Sequence, residues 1–140
     1  MKRVMAFGTF DIFHAGHKSY LAQAKALGDY LIVVVARDET VLRVKSERTR
    51  NSEEERREVL EKSGLADEVI LGDLEDKYSA IEKYRPSVIA LGYDQEVNLF
   101  ELTERLKNLK LKAEIVRLQA HKPGKFKSSK LKKNKTSLSF

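Results

Sequence analysis

Two histidines, His14 and His17, flank Ala15 and Gly16 in the run Gly8-Thr9-Phe10-Asp11-Ile12-Phe13-His14-Ala15-Gly16-His17, and the chain holds only 3 histidines in all. The run lies between a strand-like apolar stretch and a helical pattern, so both rings fall at a helix N-terminus. There, free backbone N–H groups and the positive end of the helix dipole attract phosphate. Gly8 and Gly16 let the backbone come close to a ligand, and the imidazoles can donate hydrogen bonds to phosphoryl oxygens. The plainer reading makes His14 a helix cap and His17 a packed ring. The sequence has no Gly-Lys-Ser/Thr run of a P-loop and no Gly-x-Gly-x-x-Gly dinucleotide turn. A zinc site would need a third or fourth ligand that the pattern does not supply, so no metal ligand is assigned to a side chain.

The elements that must position these residues follow from hydropathy. Strand-like runs rich in Val, Ile and Leu occur at Arg3 to Phe7, Tyr30 to Ala36, Glu68 to Leu71, Val88 to Leu91 and Glu114 to Leu118. Between them, Tyr20, Leu21, Ala24 and Leu27 share one face of a helix that begins near Gly16 and stops at Gly28. Ser52 and Glu55 form a capping box for a helix running through Val59 and Leu60 to Gly64. A further helix fits Asp76 to Tyr84 before Pro86, and Asn98 with Glu101 caps a helix carrying Leu99, Leu102, Leu106 and Leu109. Strands and helices alternating at this spacing predict an α/β fold: a single doubly wound, Rossmann-like domain with a five-stranded parallel sheet and helices on both faces. In such sheets ligands bind beyond the carboxyl ends of the strands.

Composition narrows the function classes. At 140 residues and 41% hydrophobic content the chain suits one domain with a genuine core. With 0 cysteines it has no disulfide scaffold, thiol nucleophile or iron–sulfur cluster. No apolar run approaches the roughly 20 residues of a membrane helix, and the opening residues make too short a stretch for a signal peptide. The cytoplasm is therefore the expected compartment, with no membrane partner. The 27 basic and 21 acidic residues give a net charge of +6, yet the stretch after Val116 holds 8 basic residues and none acidic. A near-neutral body with a basic tail suits an anionic partner. Aromatic content of 8% is thin material for stacking on bases, which argues against nucleic acid.

Gly8-Thr9-Phe10-Asp11 with His14-Ala15-Gly16-His17 resembles the signature of the cytidylyltransferase-like nucleotidyltransferases, which share an HxGH box with class I aminoacyl-tRNA synthetases. The resemblance spans nearly the whole chain. Val33 to Asp38, Ala66 to Ile70, Gly92-Tyr93-Asp94-Gln95 and Lys127-Ser128-Ser129-Lys130 are most similar to the archaeal FAD synthase branch, with the glycerol-3-phosphate cytidylyltransferases as nearest relatives. Those relatives carry an Arg-Thr-x-Gly-Ile-Ser-Thr-Thr type of run near the C-terminus, whereas this chain has Pro123-Gly124-Lys125-Phe126-Lys127-Ser128-Ser129. The difference weakens the cytidylyl reading.

The resemblance implies direct in-line transfer of a nucleotide to a phosphate-bearing acceptor, with ATP and FMN giving FAD and pyrophosphate. The alternative is cytidylyl or adenylyl transfer from CTP or ATP to glycerol-3-phosphate, a sugar phosphate or phosphopantetheine. A divalent cation, usually Mg²⁺, would accompany the triphosphate. By the same resemblance His14 and His17 would meet the triphosphate, the backbone at Gly8, Thr9 and Phe10 would line its path, and Asp11 would brace the turn. Lys45 would reach the α-phosphate and the acceptor phosphate, and Arg56 would contact phosphate. The plainer alternatives are a solvated helix-face lysine and a surface ion pair of Arg56 with Glu53 or Glu61. Asp38 would shape the pocket. Gly92, Tyr93 and Asp94 fall where a nucleoside should lie, with Asp94 toward the ribose and Tyr93 or Gln95 near the base. Ser128, Ser129 and Lys130 would grip the β- and γ-phosphates. The expected domain is 1–130, followed by a basic tail at 131–140. A homodimer could use Leu99, Phe100 and the helix after them, although the core would compete for the same residues.

Overall fold

The computed structural model describes residues 1–120. Five strands, β1 (Arg3–Gly8), β2 (Tyr30–Val35), β3 (Glu68–Leu71), β4 (Val88–Leu91) and β5 (Glu114–Arg117), form one sheet in the order β3-β2-β1-β4-β5. Each pairing is parallel, so every connection is a crossover. The expected strand runs therefore match the observed ones to within a residue.

The pleat sorts the strand residues into two cores. Val4, Ala6, Leu31, Val33, Val35, Val88 and Ala90 pack under α1 (Ala15–Lys25) and α3 (Glu53–Ser63), which contribute Leu21, Ala24 and Leu60. Met5, Phe7, Ile32, Val34, Ile89 and Leu91 pack on the opposite face against α4 (Ser79–Tyr84) and α5 (Leu99–Asn108), which contribute Ile81, Leu102 and Leu106. Helices thus cover both faces of the sheet. The sheet is doubly wound, and the winding reverses between β1 and β4.

The caps read at Ser52, Gly64 and Asn98 are in place, whereas α1 ends at Lys25 with Ala26 as a right-handed C-cap, short of the expected stop at Gly28. The Ser52 side chain accepts from the Glu55 backbone N–H at 3.1 Å while Glu55 Oε1 accepts from the Ser52 N–H at 2.8 Å. Gly64 ends α3 at φ 73°, a conformation that costs glycine nothing, and Asn98 Oδ1 caps α5 by accepting from the Glu101 N–H at 2.9 Å. Two differences have local causes. The expected helix over Asp76 to Tyr84 shortens at its start because the Asp73 carboxylate accepts from the Glu75 and Asp76 N–H groups, and Asp76 Oδ1 accepts from the Tyr78 N–H. These Asx turns compete with the helix. An additional helix, α2 (Asp38–Lys45), follows β2 directly and buries only Val41, too little apolar surface to show as a periodic stripe. Among the described residues no helix is long and apolar enough to cross a membrane.

Candidate active site

The winding reversal leaves the end of β1 between two segments, the one leading from β2 into α2 and the one leading from β4 toward α5. At this edge the chain leaves Gly8 and turns through Phe10, whose φ of 53° is in the left-handed region that a bulky residue seldom adopts. Packing holds it there. The Phe10 ring is buried, stacks on Tyr20 at a centroid distance of 6.2 Å and meets His17 edge-on at 5.2 Å. Gly8 makes room for the ring, since a Cβ on Gly8 would stand 2.7 Å from Phe10 Cε2.

His14 and His17 cap α1 for each other. His14 Nδ1 accepts from the Gly16 N–H at 3.0 Å, and the His14 N–H donates to His17 Nδ1 at 3.3 Å. The capping role read for His14 therefore holds, His17 shares it, and both rings remain at the N-terminus of α1. Two of the N–H groups expected to be free for an anion are already taken by imidazoles. With Nδ1 accepting on each ring, the ring proton sits on Nε2. The rings stack with centroids 3.9 Å apart and planes 19° apart, and Gly16 admits that packing, as its Cβ would lie 2.9 Å from His14 Cε1. His14 is exposed and His17 half-buried. Burial and the neighbouring His14 push the His17 pKa down to about 4, against an opposing hydrogen bond to the Ile12 backbone. His17 is thus neutral at physiological pH.

Asp11 braces the turn as expected. Its carboxylate accepts from the Arg50 N–H at 2.8 Å and the Asn51 N–H at 2.9 Å, and its carbonyl accepts from Asn51 Nδ2. Burial pushes the Asp11 carboxyl up, but these backbone donors with Arg56 and Arg50 bring it below its ordinary value.

Arg56 departs from the sequence reading. It is 1% exposed and points into the fold rather than toward the site's opening. Nη1 donates to the carbonyls of Thr9 at 2.9 Å and Ala36 at 2.7 Å, Nε to that of Asn51 at 3.0 Å, and Nη2 to Asp38 Oδ1 at 2.6 Å. The guanidinium ties together the ends of β1 and β2 and the start of α3; its fork geometry suits this role better than a lysine would. Neither Glu53 nor Glu61 is its partner: Glu53 binds Arg37 Nη1 at 3.1 Å and the Asp38 N–H at 2.8 Å. Burial raises the Asp38 carboxyl, but hydrogen bonds from Arg56, the Glu53 backbone and Thr49 outweigh it and lower the pKa.

Beyond β4, Tyr93 and Asp94 are exposed, while Gln95 is turned inward. Its Oε1 accepts from the Gly92 N–H at 2.9 Å and its Nε2 donates to the Phe7 carbonyl at 2.9 Å. Gln95 therefore shapes the loop rather than offering itself to a base. Arg117, which sequence reasoning missed, donates to the carbonyls of Gly92 at 2.7 Å and Gln95 at 2.6 Å. Its only sequence signal was a cation at the end of the last strand. Tyr20 joins the β1 and β4 ends, its single hydroxyl proton shared between the carbonyls of Phe7 at 3.2 Å and Ala90 at 3.0 Å.

Gly8, Thr9, Phe10, His14, His17, Gly92, Tyr93 and Asp94 thus lie along one edge. Lys45 is exposed in the last turn of α2, and among the described residues it has no hydrogen-bond or ion-pair partner. Ser128, Ser129, Lys130 and the expected boundary at residue 130 lie outside the described residues.

A doubly wound parallel sheet with a self-capped, histidine-bearing helix N-terminus at its winding reversal defines a nucleotide-binding α/β domain. Within that class, the chain belongs to the cytidylyltransferase-like family, whose pattern matches residues 5–134. It is 50% identical over 120 residues to an FAD synthase of Ferroglobus placidus, covering 86% of this chain and 78% of that one. An FAD synthase of Pyrococcus abyssi is 43% identical over 138 residues, covering 97% of this chain and 93% of the relative. Among solved structures, a lipopolysaccharide core biosynthesis protein of Thermoplasma volcanium superposes with a TM-score of 0.82 at 38% identity, over 87% of this chain and 99% of that one.

Proposed function

We propose that this chain is an FMN adenylyltransferase. A phosphate oxygen of FMN attacks the α-phosphorus of ATP in line, the bond from that phosphorus to the bridging oxygen of the β-phosphate breaks, and pyrophosphate leaves with the electron pair. FAD is the other product. The carrying observation is the stacked His14–His17 pair at the N-terminus of α1, in a chain whose relatives named FAD synthase match it along most of its length.

Such a transfer needs no covalent intermediate, so catalysis consists of positioning and of stabilising charge on the phosphoryl oxygens. His14 donates through its exposed Nε2–H, and His17 exchanges its contact with the Ile12 backbone for a phosphoryl oxygen. Because His17 is neutral, it adds a hydrogen bond without adding a charge. The backbone from Gly8 to Phe10 lines the phosphate path, Lys45 closes on the α-phosphate and the acceptor phosphate, and Tyr93 with Asp94 receives the nucleoside. Arg56 acts at one remove, through the carbonyls it holds. Ser128, Ser129 and Lys130 hold the β- and γ-phosphates.

A divalent cation such as Mg²⁺ supplies charge neutralisation across the phosphates when bound. The cation would be held by the oxygens of the triphosphate; among the described residues no three His, Cys, Asp or Glu side chains converge on one position.

Pyrophosphate release by the purified chain with Mg²⁺, crossing ATP and CTP against FMN and glycerol-3-phosphate, tests the reading. Release with ATP and FMN alone, with FAD as product, is expected. Release with CTP and glycerol-3-phosphate instead would overturn it.

A further inference from the structure

The reacting groups described so far account for phosphates and a nucleoside, but none of them offers a surface for a flavin ring. A groove of about 760 Å³ opens between α2, the loop after β3 and the length of α5. Its volume falls within the range of small-molecule sites. A smaller depression of about 520 Å³ lies at the opposite, amino edge of the sheet beside Ser87 and Glu114, away from the reacting groups.

The lining of the larger groove is unusual for this surface. Val44 at 67%, Phe100 at 77% and Leu74 at 37% exposure are three of the large apolar side chains that the fold leaves open to water, and all three border it. Phe100 is exposed because α5 turns Leu102 and Leu106 toward the sheet instead. Apolar residues gathered on one concavity mark a ligand more often than chance exposure does.

Position links the groove to the reaction. α2 follows β2 and α5 follows β4, the two strands that flank β1, and Val44 on the groove wall directly precedes Lys45, so the groove shares α2 with the residue assigned to the acceptor phosphate. Crevices at such a reversal are where doubly wound sheets take their ligands. The walls are fixed: Arg43 Nη2 donates to the Leu74 carbonyl at 2.8 Å, and Arg105 binds Asp76 through two hydrogen bonds of 2.9 and 3.1 Å. Asn98 spends its Oδ1 on the α5 cap, leaving its amide N–H groups as donors at the rim. Carboxylates line the groove too, of which Asp76 is paired with Arg105 and Glu101 with the Tyr78 hydroxyl; the aromatic face of Phe100 with the Asn98 donor at the rim matches a planar ring that is hydrocarbon at one edge and rich in carbonyls at the other.

We propose that this groove holds the isoalloxazine ring of the acceptor, with Phe100 stacked against it and Val44 and Leu74 enclosing its apolar edge. The proposal rests on the FMN adenylyltransferase reading and adds to it the residues that select a flavin. The ribityl chain would then run toward the end of β1 and bring the phosphate to Lys45 and the α-phosphorus.

Steady-state kinetics of the full chain with ATP and FMN test the assignment, using Phe100→Ala, Val44→Glu and, outside the groove, Leu42→Ala. Loss of one stacked ring raises the FMN KM about tenfold while the ATP KM stays within about twofold. Leu42→Ala leaves both unchanged. A parallel titration of FMN fluorescence, with α,β-methylene ATP present, shows quenching by the wild-type chain that Phe100→Ala diminishes. If the wild-type chain makes FAD but the groove variants keep the wild-type FMN KM, the ring lies elsewhere and the assignment falls while the proposed function stands. The assignment falls equally if Phe100→Ala changes only the oligomeric state seen by light scattering, since the patch is then an interface between copies. A wild-type chain that makes no FAD overturns both.

Discussion

The Arg56 guanidinium and the Asp38 carboxylate meet at 2.6 Å, with the arginine side chain wholly buried and the aspartate side chain 46% exposed. The pair forms the inner wall of the site, because the same guanidinium holds the carbonyls of Thr9, Ala36 and Asn51. Removing it takes a donor from three carbonyls and the charged partner from the Asp38 carboxylate, which keeps Thr49 Oγ1 at 3.2 Å. Arg56→Ala is expected to destabilise the chain by about 3–5 kcal/mol in urea unfolding. Arg56→Lys should recover only part of that, because one ammonium cannot span the same acceptors. A lysine variant as stable as the wild type would show that the fork does not matter.

His17→Ala should reduce kcat by about 10²–10³-fold, the scale of losing one phosphate-stabilising donor. Circular dichroism should show a retained fold, since the ring lies at the surface end of α1. His14→Ala adds the loss of a helix cap, about 1 kcal/mol in thermal or urea unfolding. Unchanged turnover per folded molecule in both variants would make the rings caps and nothing more.

His17 also gives the chain a pH dependence of stability. Its pKa falls from 6.5 to about 4 on folding, with burial as the main cause and His14 adding to it. Protonation would also place a proton on the nitrogen that accepts the His14 N–H. Across that window the unfolded chain takes up a proton that the folded chain refuses, so stability is full above pH 6.5 and declines as the pH falls toward 4. The urea midpoint of the wild type should drop more steeply over this range than that of His17→Gln; parallel profiles would contradict the assignment.

Two glycines separate site geometry from bulk stability. A Cβ at Gly8 meets the Phe10 ring at 2.7 Å, whereas one at Gly28 meets the Lys2 carbonyl oxygen at 2.6 Å. Gly8→Ala must displace the turn that carries the histidines. It should therefore lower kcat/KM by at least about tenfold with a modest loss of stability. Gly28→Ala strains backbone at the far edge and should cost about 1–3 kcal/mol with activity per folded molecule preserved. Equal effects of the two variants on activity would sink the distinction.

Deleting residues 125–140 should raise the ATP KM more than the FMN KM, because Ser128, Ser129 and Lys130 are assigned to the β- and γ-phosphates. Initial-rate measurements on the truncated chain check this, and unchanged constants would remove those residues from the site.

The sequence alone determined the order and extent of the strands, the parallel class, the caps at Ser52 and Asn98, and the placement of His14 and His17 at a helix N-terminus. Each of these is written in local information: hydropathy period, capping chemistry and turn residues act over a few positions, and a run such as Tyr30 to Val35 reads the same wherever its neighbours fall. Tertiary structure decided what each long polar side chain faces. Arg56 and Arg57 are adjacent in sequence, yet one is the buried tie of three loops and the other pairs with Glu54 on the surface. Gln95 and Arg117 are joined only because β4 and β5 lie side by side. Likewise, Leu102 and Leu106 went into the core while Phe100 stayed out, a choice set by how α5 settles on the sheet. Such contacts join residues far apart in the chain, and a long flexible side chain takes its partner from whichever element folding brings beside it.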